Sequence, residues 1–546
     1  MIWRPELEWD ATVPAMLHHA VARWGDRDLV VTDADRLSYR DADAASKRLA
    51  KRLLAAGAGK GTRIGTQFPY GSEWIVSWLA VERIGALHMP FSTAFKPAEL
   101  RTALRLGDVG LLLSPRWLFG DDHQAFVADA VGGLGPNSRL PLHQVDMPYL
   151  RKVWFDGPTD APWARQVAVV DAGRDDTADA DADFDFDGIT DELLVAVEGQ
   201  VTAADLAITI FTSGTTSAPK AVCHSHGALV RKGAHLAVLQ GWQASDRIFC
   251  GMPFFWVGGV AMTVVPAMSV GATLLCVDRT EPSRALDLME REAATKLTGW
   301  PGVIGPIMAH PTAAGRRIPA LVRPLSLVGA RHSSLGMTET LASYTYSTSE
   351  DQQRPLPEGH TGSMGWAIDG TEIRIANPDT YQPLPDGVEG AILVRGYFLL
   401  QSRYKFEREE VFTPDGFYDT GDKGYLLDGI LFLTGRISEV IKSSGNNVAP
   451  PEVEAVFRSF PEVDDVHVLG VPDEQRGEMV AALVVLAPHA AIDPEELRDR
   501  SRKELSNFKV PRYVVLAEPS DVPFLATGKP DRLRIRDMLA ASKPRT

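Results

Sequence analysis

Residues 212–220 read TSGTTSAPK and set Thr212, Ser213, Gly214, Thr215, Thr216 and Ser217 side by side before ending on Lys220. Hydroxyls, a free-turning glycine and a lysine are what a chain needs to surround an anion. Backbone N–H groups converge on it and the ammonium adds a point charge. The residues at 208–211 are apolar and β-prone, so the spacing predicts strand, loop, strand. This is not the GxxxxGK[ST] loop of common nucleotide hydrolases, because the lysine sits in another register and Ala221 follows it. Ser/Thr/Gly clusters also occur in plain surface loops, so this stretch alone leaves both readings open.

Four further motifs carry chemically capable residues. GMTET at 336–340 offers Thr338 and Glu339, a hydroxyl and a carboxylate that suit a hard cation, or else an ordinary capped helix start. YDTGD at 418–422 offers Asp422, or a tight turn. GRISEVIKSSGNNVAPPEVE at 435–454 offers Arg436, which could equally be an exposed arginine ending a strand. PFLATGKPDR at 523–532 offers Lys529, which by itself would be a solvated lysine. Each motif is weak alone. Together, in this order and spacing, they resemble the adenylate-forming enzymes: acyl-CoA synthetases, peptide-synthetase adenylation domains and beetle luciferases. The resemblance covers nearly the whole chain and is strongest to the acyl-CoA synthetases.

That resemblance implies a reaction and a set of roles. A carboxylate attacks the α-phosphate of ATP, pyrophosphate leaves, and the acyl-adenylate then meets a thiol. Thr212, Ser213, Gly214, Thr215, Thr216 and Lys220 would hold the ATP phosphates. Thr338 would hydrogen-bond the α-phosphate and Glu339 would hold Mg²⁺. Gly336 and Met337 would line the AMP site, Asp422 would accept the ribose hydroxyls, and Arg436 would contact ribose or phosphate. Lys529 would bridge the carboxylate and α-phosphate, two anions that repel without it. A small domain carrying Lys529 would swing about Ser438 and present Lys442 and Gly445 to the thiol arm. The acyl pocket would fall on 253–260, PFFWVGGV, with Phe254, Phe255, Trp256 and Val257 as an apolar wall and Gly258 and Gly259 leaving room; core packing is the equal alternative. An apolar acid, fatty or bulky, is favoured over an amino acid. Free coenzyme A is favoured over a tethered arm, since no carrier domain is fused. A stand-alone carrier-loading enzyme and a non-catalytic nucleotide binder are the competing readings.

This sequence departs from the family pattern in places. Ser217 and Ala221 replace two usual glycines, Ser438 replaces Asp or Lys, and Asn446 replaces a frequent glutamate. Leu335 stands where an aromatic usually stacks on adenine. Gly329 and Ala330 lie only six positions before Gly336, so the adenine region is short.

The elements that must position these residues alternate helix and strand in the first half, which points to parallel α/β layers. Helices are predicted around 37–57 and 72–85, with strands at 63–68 and 87–91. The expected fold is α/β: a large N-terminal domain, 1–437, of α/β layers plus a small β-barrel-like subdomain, and a small mobile α+β C-terminal domain, 438–546. The 546 residues exceed what one core sustains. A net charge of −15, from 56 basic and 71 acidic side chains, argues against a nucleic-acid partner. Three cysteines cannot form a disulfide framework, so a cytoplasmic location is expected. A homodimer is compatible with the sequence. The uncharged run 248–277 is long enough to span a bilayer, but its prolines and glycines favour a buried helix–strand unit. Asp183, Asp185, Asp187 and Gly188 open like an EF-hand loop, yet its twelfth position is Leu194 rather than Glu. CHSH at 223–226 suits a strand better than tetrahedral zinc.

Overall fold

The computed structural model describes residues 5–170, 186–212, 220–279, 281–299, 301–322, 332–348, 350–358, 360, 362–436, 441–443, 446–448, 450–473, 477–505, 509–525 and 530–543. The local signals fold as their chemistry dictates. Helix Tyr39–Ala55 begins in a capping box: Ser38 Oγ accepts from the Asp41 N–H and the Asp41 carboxylate accepts from the Ser38 N–H. It stops before Gly57, whose φ of +78° a side chain would resist. Helix Ser72–Arg83 packs against it and is buried along almost its whole length.

Two sheets form the α/β layers. In one, strands Leu87–Pro90, Arg63–Thr66, Leu111–Pro115, Lys152–Asp156 and Arg165–Val167 run parallel. Leu206–Thr212 joins parallel to Leu87–Pro90, and Lys220–Ser225 and then Ser402–Arg403 add antiparallel at that edge. In the other, Lys296–Thr298, Arg247–Cys250, Thr273–Leu275 and Asp28–Val31 are parallel, with Arg36–Ser38 antiparallel. The run 248–277 is the expected buried unit: strand Arg247–Cys250, helical turns across Val257–Val270, then strand Thr273–Leu275. No described helix is long and apolar enough to cross a membrane.

The third sheet is antiparallel: Thr345–Tyr346, Ser363–Ala367, Ile430–Arg436, Tyr418–Leu427, Gly390–Gly396 and Thr371–Ala376. It stands where the barrel-like subdomain was expected. Its two end strands do not pair with each other among the described residues. The small C-terminal domain is α+β. Strands Val463–Asp473 and Gly477–Leu486 pair antiparallel, Tyr513–Ala517 pairs parallel to the latter, and helices Pro450–Arg458, Pro494–Glu504 and Arg532–Ala541 accompany them. The expected boundary at 437/438 lies outside the described residues.

Asp187 and Gly188 lie in a turn, Thr190 caps helix Asp191–Glu198, and Leu194 is buried in that helix. Asp183 and Asp185 lie outside the described residues. In CHSH, Cys223 and His224 are consecutive strand residues while His226 opens helix His226–Leu239 and faces Glu82. Among the described residues no three His, Cys, Asp or Glu side chains gather as a metal cage.

Candidate active site

The predicted loop is a hairpin. Leu206–Thr212 and Lys220–Ser225 pair antiparallel, with Thr212 directly opposite Lys220. Ser213, Gly214, Thr215, Thr216 and Ser217 lie outside the described residues. Side chains alternate along a strand, so Lys220, Val222 and His224 share one face. That face meets the GMTET segment.

Residues 336–340 do not start a helix. Strands Gly336–Met337 and Ala342–Ser343 pair antiparallel around a single tight turn, Thr338–Thr340. Gly336 is required at the crossing: a Cβ there would sit 2.4 Å from the Ala342 carbonyl. After Glu339 the chain takes left-handed backbone at two non-glycine residues, Leu341 (φ +48°) and Ala342 (φ +91°). Such conformations cost about 1–3 kcal/mol each and persist only when the surroundings enforce them. Here they do. Thr340 Oγ1 donates to the Ala342 carbonyl at 2.5 Å, and the Leu400 N–H donates to the Glu339 carbonyl at 2.9 Å. From behind, buried Lys232 donates to the Ser343 carbonyl at 2.5 Å, with its ammonium 3.8 Å from the Phe398 ring centre.

His224 adds a tie from the hairpin: its Nε2 lies 2.9 Å from the Thr338 carbonyl. A carbonyl only accepts, so Nε2 carries the proton. Burial pushes His224 down to about 3, against the hydrogen bond to Thr338, and the ring is neutral.

Glu339 is the buried carboxylate at the tip of this turn. Tyr418 donates to its Oε1 at 3.2 Å, and Arg403 donates to the Tyr418 hydroxyl oxygen at 2.6 Å while lying 3.9 Å from Glu339. Burial first, then the Glu339 charge, push the Tyr418 phenol up, so it remains a donor. Lys220 reports the same neighbourhood. Burial and then Arg403 lower its pKa, Glu339 opposes them, and Arg436 lowers it further.

Asp422 is not a turn residue. It lies within strand Tyr418–Leu427, opposite Arg436 on Ile430–Arg436, and the two pair at 2.9 Å. Beside them Tyr344 is buried, its phenol pushed up by burial and by Asp422, and its hydroxyl finds no hydrogen-bond partner among the described residues. The hairpin, the Glu339 turn and this strand pair thus bring Thr212, Lys220, Thr338, Glu339, Asp422 and Arg436 into one neighbourhood from motifs some two hundred residues apart.

The aromatic run divides. Phe254 is core, packed 5.3 Å from Trp74 and 5.8 Å from Tyr70 between ring centres, and Phe255 is buried edge-on to Trp256 at 5.2 Å. Trp256 and Val257 keep partial exposure. Gly259 serves a tight turn rather than leaving room, since a Cβ would meet the Pro253 carbonyl at 2.1 Å. Gly258 is buried, and its carbonyl accepts from Thr263. Lys442 lies on strand Ile441–Ser443 of the C-terminal domain. Ser438, Gly445 and Lys529 lie outside the described residues, as do Gly329 and Ala330.

Arg403, Tyr418, His224, Lys232 and Tyr344 were not singled out in the sequence. Tyr418 opens YDTGD and His224 lies in CHSH, though neither was given a role in the site; for His224 the signal was the two-residue step from Lys220 through Val222 along a strand. Arg403 sits in no motif; only strand pairing, Val222 opposite Arg403, brings it here.

Comparison with known proteins places the chain in a family. The AMP-binding enzyme family matches residues 17–404, and the AMP-binding enzyme C-terminal domain matches 452–529. An indoleacetate–CoA ligase of Aromatoleum aromaticum is 27% identical over 92% of this chain and 93% of its own. A sulfoacetate–CoA ligase of Cupriavidus necator is 26% identical over 97% of this chain and 99% of its own. The crystal structure of ATP-bound MatB from Rhodopseudomonas palustris superposes with a TM-score of 0.77 at 23% identity, covering 97% of this chain and 99% of that one, a likeness of fold.

Proposed function

The chain belongs to the AMP-binding enzyme family and is an ATP-dependent acid–CoA ligase, and from that premise we propose how its residues divide the work and which acids it takes. In the first half-reaction a carboxylate oxygen forms a bond to the α-phosphorus of ATP while the α–β P–O bond breaks and pyrophosphate leaves. In the second, the coenzyme A sulfur bonds the acyl carbon and AMP departs. Both steps need anions brought together, so catalysis is positioning and charge neutralisation.

The observation that carries the assignment is the convergence of Lys220, Glu339 and the Asp422–Arg436 pair on one neighbourhood. Thr212, Lys220 and the backbone of 213–216 hold the β- and γ-phosphates. Thr338 hydrogen-bonds the α-phosphate. Asp422, with its geometry fixed by Arg436, accepts from the ribose hydroxyls, and Gly336 and Met337 line the nucleotide. Mg²⁺ suits a single buried carboxylate plus phosphate oxygens rather than an all-protein cage; Glu339 would hold it, and the ion would neutralise charge on the phosphates. Lys529 arrives with the C-terminal domain, residues 438–546, turning about Ser438. Lys442 and Gly445 then face the thiol arm.

The acid is apolar, fatty or bulky. Support comes from partly exposed Trp256 and Val257 in a run, 248–277, without a charged residue. Three free, buried cysteines support a reducing cytoplasm. The test is a panel of aliphatic, aryl and charged carboxylic acids scored for pyrophosphate release with coenzyme A, with a phosphopantetheinylated carrier, and with neither. Release with apolar acids and thioester formation on coenzyme A is the expected result. Thioester on the carrier alone, or preference for charged acids, overturns it.

A further inference from the structure

We propose that Arg403 is a second polyphosphate-binding cation of this site, paired across the sheet with Lys220; the proposal rests on the reading of this site as an ATP site. Three observations carry it. First, register places the two cations on one face. Arg403 lies opposite Val222, and Lys220 is two residues before Val222, so their side chains project to the same side as diagonal neighbours. The positive charge of Arg403 is the larger of the two charges that lower Lys220, which reports their proximity. Two cations share the single negative charge of Glu339, so one positive charge is left over for a polyanion in the gap.

Second, the guanidinium is only partly engaged. Nη2 donates to the Tyr418 hydroxyl at 2.6 Å, and the buried Nε finds no hydrogen-bond partner among the described residues. Arginine offers five donors in a rigid fork that matches phosphate oxygens. The side chain is one-fifth exposed, so it can reach a ligand without crossing bulk water.

Third, the distance to Glu339, 3.9 Å, is too long for a direct hydrogen bond; Tyr418 stands between them. Arg403 therefore serves as a loose counter-charge for Glu339 when the nucleotide is absent. With nucleotide bound, Glu339 would be the residue that holds Mg²⁺, and Arg403, no longer its counter-charge, turns its guanidinium to the β- and γ-phosphates and then to the departing pyrophosphate. No bond is made or broken in this exchange. It is a transfer of ion pairing within one buried cluster.

The experiment uses the full chain and compares a non-cleavable α,β-methylene analogue of ATP with AMP by calorimetry. Losing a charged hydrogen-bond donor to phosphate corresponds to about 10- to 100-fold in affinity. Arg403→Gln is expected to weaken the triphosphate analogue by that factor while AMP binding changes less than threefold. Arg403→Lys retains the charge without the fork and is expected to fall between wild type and Arg403→Gln. It also carries the test if Arg403→Gln does not fold, through the same triphosphate-specific loss. Equal weakening of both nucleotides, or unchanged affinity for the triphosphate, overturns the proposal. Wild-type pyrophosphate release is read separately. A wild-type enzyme that binds the analogue yet activates no acid would sink the functional reading and leave the Arg403 result standing.

Discussion

Glu339 is a carboxylate at the tip of a strained turn, buried and bonded by a phenol. Replacing it with glutamine keeps the shape and one acceptor for Tyr418 but removes the charge that attracts a divalent ion. The expected outcome of Glu339→Gln is a magnesium requirement for pyrophosphate release raised on the order of tenfold, with the acid KM little changed. A magnesium titration that overlays wild type would remove Glu339 from the metal. At this scale the sequence was a good guide for groups inside motifs and a poor one for the rest. Lys220, Glu339, Asp422 and Arg436 were legible as candidates because each falls in a short motif, and the structure brings them into one neighbourhood. Arg403 and Lys232 were not. Their contribution depends on which strand or helix lies beside which, and no local pattern around them encodes that.

The phosphate hairpin and the Glu339 turn work as one element. His224 ties strand Lys220–Ser225 to the Thr338 carbonyl, and Lys232 on the following helix ties the Ser343 carbonyl at the turn's far end. The two donors therefore brace the carbonyls that flank the left-handed backbone at Leu341 and Ala342. The hairpin itself was predictable from apolar residues either side of a hydroxyl-rich loop, as were the capped helix at Tyr39–Ala55 and the buried unit over 248–277. The GMTET turn was not, since threonine and glutamate in that order also cap helices, and only the close crossing at Gly336 decides. His224→Phe fills the volume and leaves the Thr338 carbonyl without its donor, at a cost of about 1–3 kcal/mol. Adenylation is expected to slow about tenfold or more, since misplacing a reacting group by a fraction of an ångström is costly. AMP affinity, assigned in the proposed function chiefly to Asp422 and Arg436, is expected to change far less. Unchanged single-turnover adenylation by His224→Phe would show that the tie is structural only.

Across the whole molecule, the large domain buries histidines that water would charge. Burial pushes His88 and His224 down to about 3, and His123 and His226 down to about 4. An unfolded histidine titrates near 6.5, so the unfolded chain binds these protons first, and stability falls as pH drops from about 6.5 towards the folded values. Two buried carboxyls oppose this. Glu73 is raised to about 7 and Glu82 well above its usual range, both mainly by burial, and their penalty eases as pH falls. Burial lowers His19 and His235 as well, so the histidines outnumber the two carboxyls and the net effect is a loss of stability in acid. His88→Gln can keep a bond to Thr66 Oγ1, now 2.8 Å from His88 Nε2, while removing the proton uptake. Below pH 6.5 its stability is expected to fall less steeply than wild type by about 1.4 kcal/mol per pH unit, read from urea unfolding at pH 7, 6 and 5; parallel profiles would refute it. The two domains divide the chemistry on the same scale. If Lys529 belongs to the first half-reaction alone, Lys529→Ala abolishes acyl-adenylate formation, measured as pyrophosphate release, while a chemically supplied acyl-adenylate still becomes thioester with coenzyme A at near wild-type rate. The reason is electrostatic. Only the first step brings two anions, carboxylate and α-phosphate, into contact, and only there does a lysine between them lower the barrier. Loss of both half-reactions together would mean that the lysine's segment is needed to dock the C-terminal domain in either orientation, and the division between its two faces would have to be abandoned.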